Sequence, residues 1–339
     1  MALFRASRDL GGYEMVEANR CNEMFTAAYK KYLKAEKIGK RLENRIRRFE
    51  KYKFDWLNKD LEGWETGRKL PSRIAVIGED GPGDEVFYVR FARSLAERSE
   101  EVIWVHNWKE DGVSTDDNSR LSSLFERSFR DCATLSFTSF TPRTPLRYPV
   151  IFSKELLTYF GSTEEDWTRL AQNPYLTAAP AQALKDCYSK GSKIGVGLAW
   201  KSEGGKPGKS CPLTEAGWKE VFQEQIKERC SFISLQYGNT ESDLKYARDH
   251  YGVEIHRDSR IDHFNMEDAS MQISACDVVV SISTTAAHLA GALGKKTFLL
   301  LPADPIVHWE FPGPYPMMDK IENLSLEEAA RRLRSVVGL

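Results

Sequence analysis

The chain has no CxxC and no closely spaced cysteine pair; Cys21, Cys132, Cys187, Cys211, Cys230 and Cys276 are scattered along it. That pattern argues against a disulfide scaffold and suits a reducing compartment, where such residues serve as small buried hydrophobes. Neither sign of charge is in excess. With 48 basic against 49 acidic residues the net charge is −1, so no global field draws the chain to nucleic acid. No apolar run approaches the roughly 20 residues that span a bilayer, so no transmembrane segment is expected. The opening stretch, "MALFRASRDLGGYEMVEANR", lacks the apolar core of a signal peptide. A cytoplasmic location is expected.

At 339 residues the chain is long enough for two domains with cores of their own, or one large one. Its ordinary apolar content of 41% excludes wholesale disorder. Residues 13 to about 62 contain no proline, and their aromatic and aliphatic residues recur at three- and four-residue steps, which predicts helix over most of an N-terminal segment, 1–66. Lysine and arginine crowd its middle, between Lys30 and Lys53. A solvated helix face and a basic docking surface both fit that crowding.

The texture then changes. "RIAVIG" (73–78) reads as a short buried strand, "DGPG" (80–83) as a turn, 84–98 as a helix and "EVIWVHN" (101–107) as another strand. Strand, glycine turn, helix, strand is the rhythm of a parallel α/β domain, placed at 67–180. Prolines multiply over 141–180, and a linker is expected near 177–190. A second α/β run, 181–339, begins at "SKIGVGLAW" (192–200). It continues through a helix at about 214–227, strand "CSFISLQYG" (230–238), a helix at 241–250, strand "VEIHR", a helix at 267–274 and strand "DVVVSIS". A helix at 285–293 and a last clear strand, "KTFLLLP" (296–302), come before a C-terminal amphipathic helix with Ser325 as its N-cap. Two such halves place a ligand cleft between them, at the carboxyl ends of both sheets.

Three stretches can carry chemistry there. In "SISTTAAHLAGALG" (281–294) a strand ends in hydroxyl residues and passes directly into a helix. A helix leaves its first N–H groups unpaired at its positive end, a natural anion site; Ser283, Thr284 and Thr285 can cap those groups or donate to phosphate oxygens. His288, one turn in, can reach a diphosphate oxygen. An ordinary Ser/Thr cap with a partly buried histidine fits the same residues. In "LAWKSEGGKPGKSCPLT" (198–214), glycines followed by Lys201, Lys206, Lys209 and Ser210 can wrap phosphate, although Glu203 stands where a Walker A loop needs its first glycine. A flexible polar loop is the plainer alternative. In "GEDGPGDE" (78–85), Asp84 is placed to take a proton from a hydroxyl nucleophile, with Asp80 and Glu85 as weaker candidates; Asp84 also suits a helix N-cap. His250, His256 and His263, with Asp258 and Asp262, match no zinc spacing, and no metal site is expected.

Further blocks complete a pattern: "EGWETGRKL", "YPVIFSKELL", "NPYL", "FISLQYG", "DHFNMEDASMQISACDVVVSISTTAAHLAGALGKKTFLLLP" and a trailing "HW" (308–309). Over roughly 62–312 the chain resembles the glycosyltransferase-like domain found behind tetratricopeptide repeats in many bacterial proteins, and more distantly the lipopolysaccharide heptosyltransferases. The segment 13–62 then corresponds to a decayed repeat. The resemblance implies a GT-B fold, two Rossmann-like domains facing a cleft. It also implies an inverting, metal-independent glycosyltransferase that uses a nucleotide-diphosphate sugar and no cofactor. The acceptor class stays open among glycans, lipid-linked molecules and proteins. It casts Asp84 as general base, Lys209 and then Lys201 as cations for the leaving diphosphate, Thr284, Thr285 and His288 as diphosphate contacts, and Gln236 and Tyr237 as facing the nucleoside. Both families commonly show Asp-Thr where this chain has Ser283-Thr284, and a small residue where it has Thr285. A catalytically silent nucleotide-sugar-binding or scaffold protein on the same shell is the alternative.

Overall fold

The computed structural model describes residues 70–78, 81–106, 120–139, 150–153, 156–160, 166, 169–170, 172–189, 193–202, 210–303, 305, 307–309 and 314–339. The expected helical segment 1–66 lies outside the described residues, as do Asp80, Lys206 and Lys209.

The first half is built on a four-stranded sheet. β1 (Arg73–Ile77) lies between β2 (Glu101–His106) and β4 (Val150–Phe152), and β3 (Leu135–Ser139) adds to β2, giving the order β3-β2-β1-β4 with every pairing parallel. The second half holds six strands: β5 (Ile194–Ala199), β6 (Cys230–Ser234), β7 (Ile255–His256), β8 (Val278–Ile282), β9 (Lys296–Leu300) and β10 (Met318–Ile321). Their order, β10-β9-β8-β5-β6-β7, again has only parallel pairings. Read from the other edge it is the doubly wound order, with its reversal between β5 and β8.

Parallel strands covered on both faces need apolar residues on both, which is why β8 is apolar at Val278, Val279, Val280 and Ile282, with a buried Ser281 near its end. Val278, Val280 and Ile282 enter a core under the C-terminal helix with Val196, Trp218, Phe298 and Leu333. Val279 faces the other way, into a core that runs on without a break into the first half through Leu289, Ile273, Phe87, Val86 and Phe125. Ser325 caps the final helix, Leu326–Val336, by accepting from Glu328 N at 3.2 Å.

Three expectations are corrected. The linker near 177–190 holds a helix, Gln182–Tyr188, held down by buried Leu184 and Tyr188. The helix expected at about 214–227 is two pieces, Trp218–Val221 and Glu224–Arg229, separated at Gln223, whose ψ of 146° is non-helical. The strand at 296–302 is not the last, since β10 follows it with only half-buried residues before Ile321.

Ligand crevices in open parallel sheets lie beyond the carboxyl ends of the strands, where the strand order reverses. In the first sheet that point follows β1 and in the second it follows β8. The helix after each, Pro82–Tyr88 and Thr285–Ala292, starts there, and the two helices pack against each other.

Candidate functional site

The Thr285–Ala292 helix begins without a side-chain cap. Thr284 is the N-cap residue, in extended conformation, but its hydroxyl turns back to Ser281 Oγ at 3.2 Å and to the Ile282 carbonyl at 3.4 Å. Ala287 N and His288 N both donate to Thr284 O. The Thr285 and Ala286 N–H groups have no protein acceptor among the described residues, so two donors stand at the positive end of the helix. Ser283 is differently placed: its Oγ accepts from Trp309 Nε1 at 2.7 Å.

Asp84 sits in the first turn of the facing helix, where its Oδ2 accepts from Gly81 N at 3.2 Å. It therefore closes the helix start while its side chain stays 29% exposed. Its Oδ1 lies 3.5 Å from Nε2 of His308, which in turn shares a 3.0 Å hydrogen bond with the Tyr88 hydroxyl. Glu85, the neighbouring alternative, is buried with its carboxyl group against Gly78 at the end of β1. The proline at N1 and the glycines at 81 and 83 let this turn approach the second half closely.

His288 occupies the seam between the halves. Its Nδ1 shares a 2.7 Å hydrogen bond with the Tyr315 hydroxyl, and its ring stacks on Trp309 at 4.3 Å between centroids. Burial, with smaller contributions from neighbouring His308 and Arg90, holds its pKa well below the usual histidine range. A neutral, packed imidazole results. Arg90 lies in the same seam, donating to the carbonyls of Phe87 at 2.8 Å and Pro314 at 2.6 Å, with its guanidinium over the Phe87 ring at 4.2 Å and the Tyr315 ring at 4.6 Å.

The loop after β5 is fastened by one side chain. The Gln236 amide oxygen accepts from Trp200 N at 3.2 Å and Lys201 N at 3.0 Å, and its nitrogen donates to Lys201 O at 2.9 Å. Gln236 is therefore buried beneath the loop. Lys201 pairs with Asp243 at 2.6 Å and donates to Asn239 O at 2.9 Å. Ser210 accepts from Ser202 N at 3.1 Å, which ties together the two ends of the glycine-rich loop.

Between these elements lies a pocket of about 190 Å³. Pro82 and Arg120 line it from the first half; Tyr237, Phe264, Thr285 and Ala286 line it from the second. Phe264 is 45% exposed, the Arg120 guanidinium stands 5.3 Å over its ring, and the Tyr237 ring meets it nearly edge-on at 6.1 Å. An aromatic face, a cation and an uncapped helix end thus converge on one space. The sequence-derived residues Tyr237 and Thr285 line it, and Asp84 lies on the adjoining helix start; Lys201, Ser210 and Gln236 form a separate cluster at the ends of β5 and β6. His308, Trp309, Tyr315, Arg120 and Phe264 went unassigned from sequence, although the His308-Trp309 pair and the "DHFNMED" block already carry the family resemblance.

The histidines weighed for a metal do not gather. His250 stacks on Tyr246 at 3.8 Å, His263 donates from Nε2 to Ser234 O at 3.2 Å, and Asp258 is held by Arg260 and by the Tyr188 hydroxyl at 3.1 Å. No group of three potential ligands occurs among the described residues.

Comparison with known proteins completes the geometry. A family 9 glycosyl transferase from Veillonella parvula superposes with a TM-score of 0.52 at 13% identity, covering 80% of this chain and 99% of that one. The fold is GT-B. The E. coli ADP-heptose lipopolysaccharide heptosyltransferase II gives a TM-score of 0.49 at 15% identity, over 78% of this chain and 98% of that one. In sequence, Protein FlbA of Caulobacter vibrioides is 25% identical over 262 residues, which is 72% of this chain. The chain spans 40% of the length of that curated relative. No protein-family model matches the chain. Among the described residues, no helix is long and apolar enough to cross a membrane. In GT-B terms the first sheet supplies the Asp84 turn, and the second supplies the Thr285 helix end, the loop fastened by Gln236 and most of the pocket wall.

Proposed function

We propose that the chain is a glycosyltransferase that moves a sugar from a nucleotide-diphosphate donor to a hydroxyl of a glycan, lipid-linked or protein acceptor, with inversion and without a metal ion. The observation that carries this reading is the uncapped start of the Thr285 helix, opening on a pocket walled by Tyr237, Phe264 and Arg120. Every nucleobase has a π-face that an exposed phenylalanine and an arginine can cover, and a diphosphate suits a helix N-terminus. The acceptor oxygen attacks the anomeric carbon as its bond to the diphosphate breaks. The acceptor proton passes to the half-exposed Asp84 carboxylate. Negative charge grows on the leaving diphosphate, where the helix end takes the place of a divalent cation, with Lys209, outside the described residues, as the cation the family resemblance assigns to it. The GT-B fold, shared with a structure named as a family 9 glycosyl transferase, supports the same reading.

Isothermal titration against UDP-, GDP-, ADP- and CMP-sugars tests it. Binding of one donor class is expected; no binding of any nucleotide sugar or free nucleotide at millimolar concentration overturns the proposal. Asp84→Asn is expected to abolish turnover while donor affinity stays largely intact.

A silent nucleotide-sugar-binding protein is a second reading. It is favoured by the engagement of Lys201 with Asp243 and of Ser283 with Trp309, which leaves these two groups already partnered. Donor binding without nucleotide release, alone or with any acceptor, selects it.

A further inference from the structure

We infer that His308 is a positioning residue for Asp84, fixing the proposed base from the opposite half of the molecule; this rests on the transferase reading above. His308 belongs to the short turn Val307–Trp309 in the second half, yet its Nε2 lies 3.5 Å from Asp84 Oδ1 and 3.0 Å from the Tyr88 hydroxyl in the first. Asp84 and Tyr88 are four residues apart on one helix, so they present side by side to that nitrogen. The ring cannot turn freely. It stacks on Phe87 at 4.3 Å, meets the His288 ring edge-on at 5.5 Å and is almost completely buried.

A neutral imidazole offers either a hydrogen or a lone pair at Nε2, never both. With the hydrogen there, His308 donates to the tyrosine oxygen at 3.0 Å and presents the same N–H toward Asp84 Oδ1 at 3.5 Å; with the hydrogen on Nδ1, Nε2 only accepts from Tyr88. Asp84 Oδ2 is already fixed by Gly81 N. An N–H at Nε2 therefore faces the second oxygen, so that each carboxylate oxygen has a neighbour that orients the group. Among the described residues, the ionisable groups facing His308 are Asp84 and Tyr88 from the Pro82–Tyr88 helix and His288 from the Thr285 helix, with Arg90 in the same seam. Among these, Asp84 is the carboxylate that prefers the hydrogen at Nε2.

The test has a binding-independent arm and a kinetic arm. In the first, the imidazole nitrogen shifts of His308 are followed by NMR across neutral pH in the native protein, in Asp84→Asn and in Thr284→Ala. Loss of the carboxylate is expected to move the His308 nitrogen shifts toward the tautomer with its hydrogen on Nδ1, and Thr284→Ala to leave them in place. Unchanged His308 nitrogen shifts in Asp84→Asn overturn the inference. In the second, nucleotide release is measured from the donor that titration selects. His308→Ala is expected to lower kcat roughly ten- to a hundredfold with KM little changed, as for a misplaced reacting group, and His308→Gln, whose amide can still donate, to recover part of that loss. Equal losses in both variants, with KM raised, overturn it. If no donor binds, the transferase reading fails by itself, while the NMR arm still decides whether the two residues are linked.

Discussion

Gly83 and His288 meet across the two halves so closely that a Cβ on residue 83 would lie 3.0 Å from the imidazole Cδ2, and 3.4 Å from the Thr285 Cα. The first of these contacts is tighter than real side chains accept without displacement, and one wall is backbone. Gly83→Ala is expected to cost about 1–3 kcal/mol of stability by overpacking, read as a lower denaturation midpoint. Unchanged stability would mean that the two helices are free to slide apart.

Stability is expected to fall as the pH drops below neutral. His106 is completely buried, with Nε2 2.8 Å from Ser122 Oγ, and burial lowers its pKa from 6.5 to about 4. His288 shifts in the same direction for the same principal cause. Between these limits the unfolded chain binds a proton that the folded one refuses, so the unfolded state gains as pH falls. For His106 alone the slope approaches about 1.4 kcal/mol per pH unit over that window. Urea titrations at several pH values check it; His106→Gln is expected to flatten the dependence, and an equally steep curve would rule out His106 as a source.

Gln236→Ala removes three backbone hydrogen bonds to the Trp200–Lys201 turn at one stroke. Each neutral hydrogen bond contributes about 1 kcal/mol net, so a loss of roughly 2–3 kcal/mol is expected. Hydrogen exchange should accelerate at the amides of residues 200 and 201 while β9, on the far side of β8, stays protected.

Phe264→Ala separates binding from folding. The ring is 45% exposed, so its loss should move stability by less than about 1 kcal/mol. If a nucleobase stacks on it, affinity for the nucleotide falls by about 1–3 kcal/mol, measured by calorimetry. Undiminished affinity would place the base elsewhere.

The elements legible in the sequence are those whose burial is local and complete. β1, β5, β8 and β9 are apolar runs because parallel central strands are covered on both sides. β10 escaped because "MDKI" is an edge strand, half-buried until Ile321, and its partner β9 supplies the regularity. The break at Gln223 has no proline or glycine to announce it; the residue turns out of helical conformation as an N-cap, accepting from Ile226 N and Lys227 N. At the site, the Ser283–Thr285 junction was readable because strand end, hydroxyls and helix start are contiguous. The contact of His308 with Asp84 spans more than two hundred positions, and only the fold brings the two together.

Because the apolar interior passes unbroken from Phe125 and Val86 in one half to Ile273 and Leu289 in the other, the molecule is not a pair of jaws. Swinging the sheets apart would wet that seam, so scattering profiles should hardly change when a ligand enters. Any opening of the pocket then has to come from its rim, where Phe264 stands 45% exposed beside Arg120, and not from a hinge between the sheets.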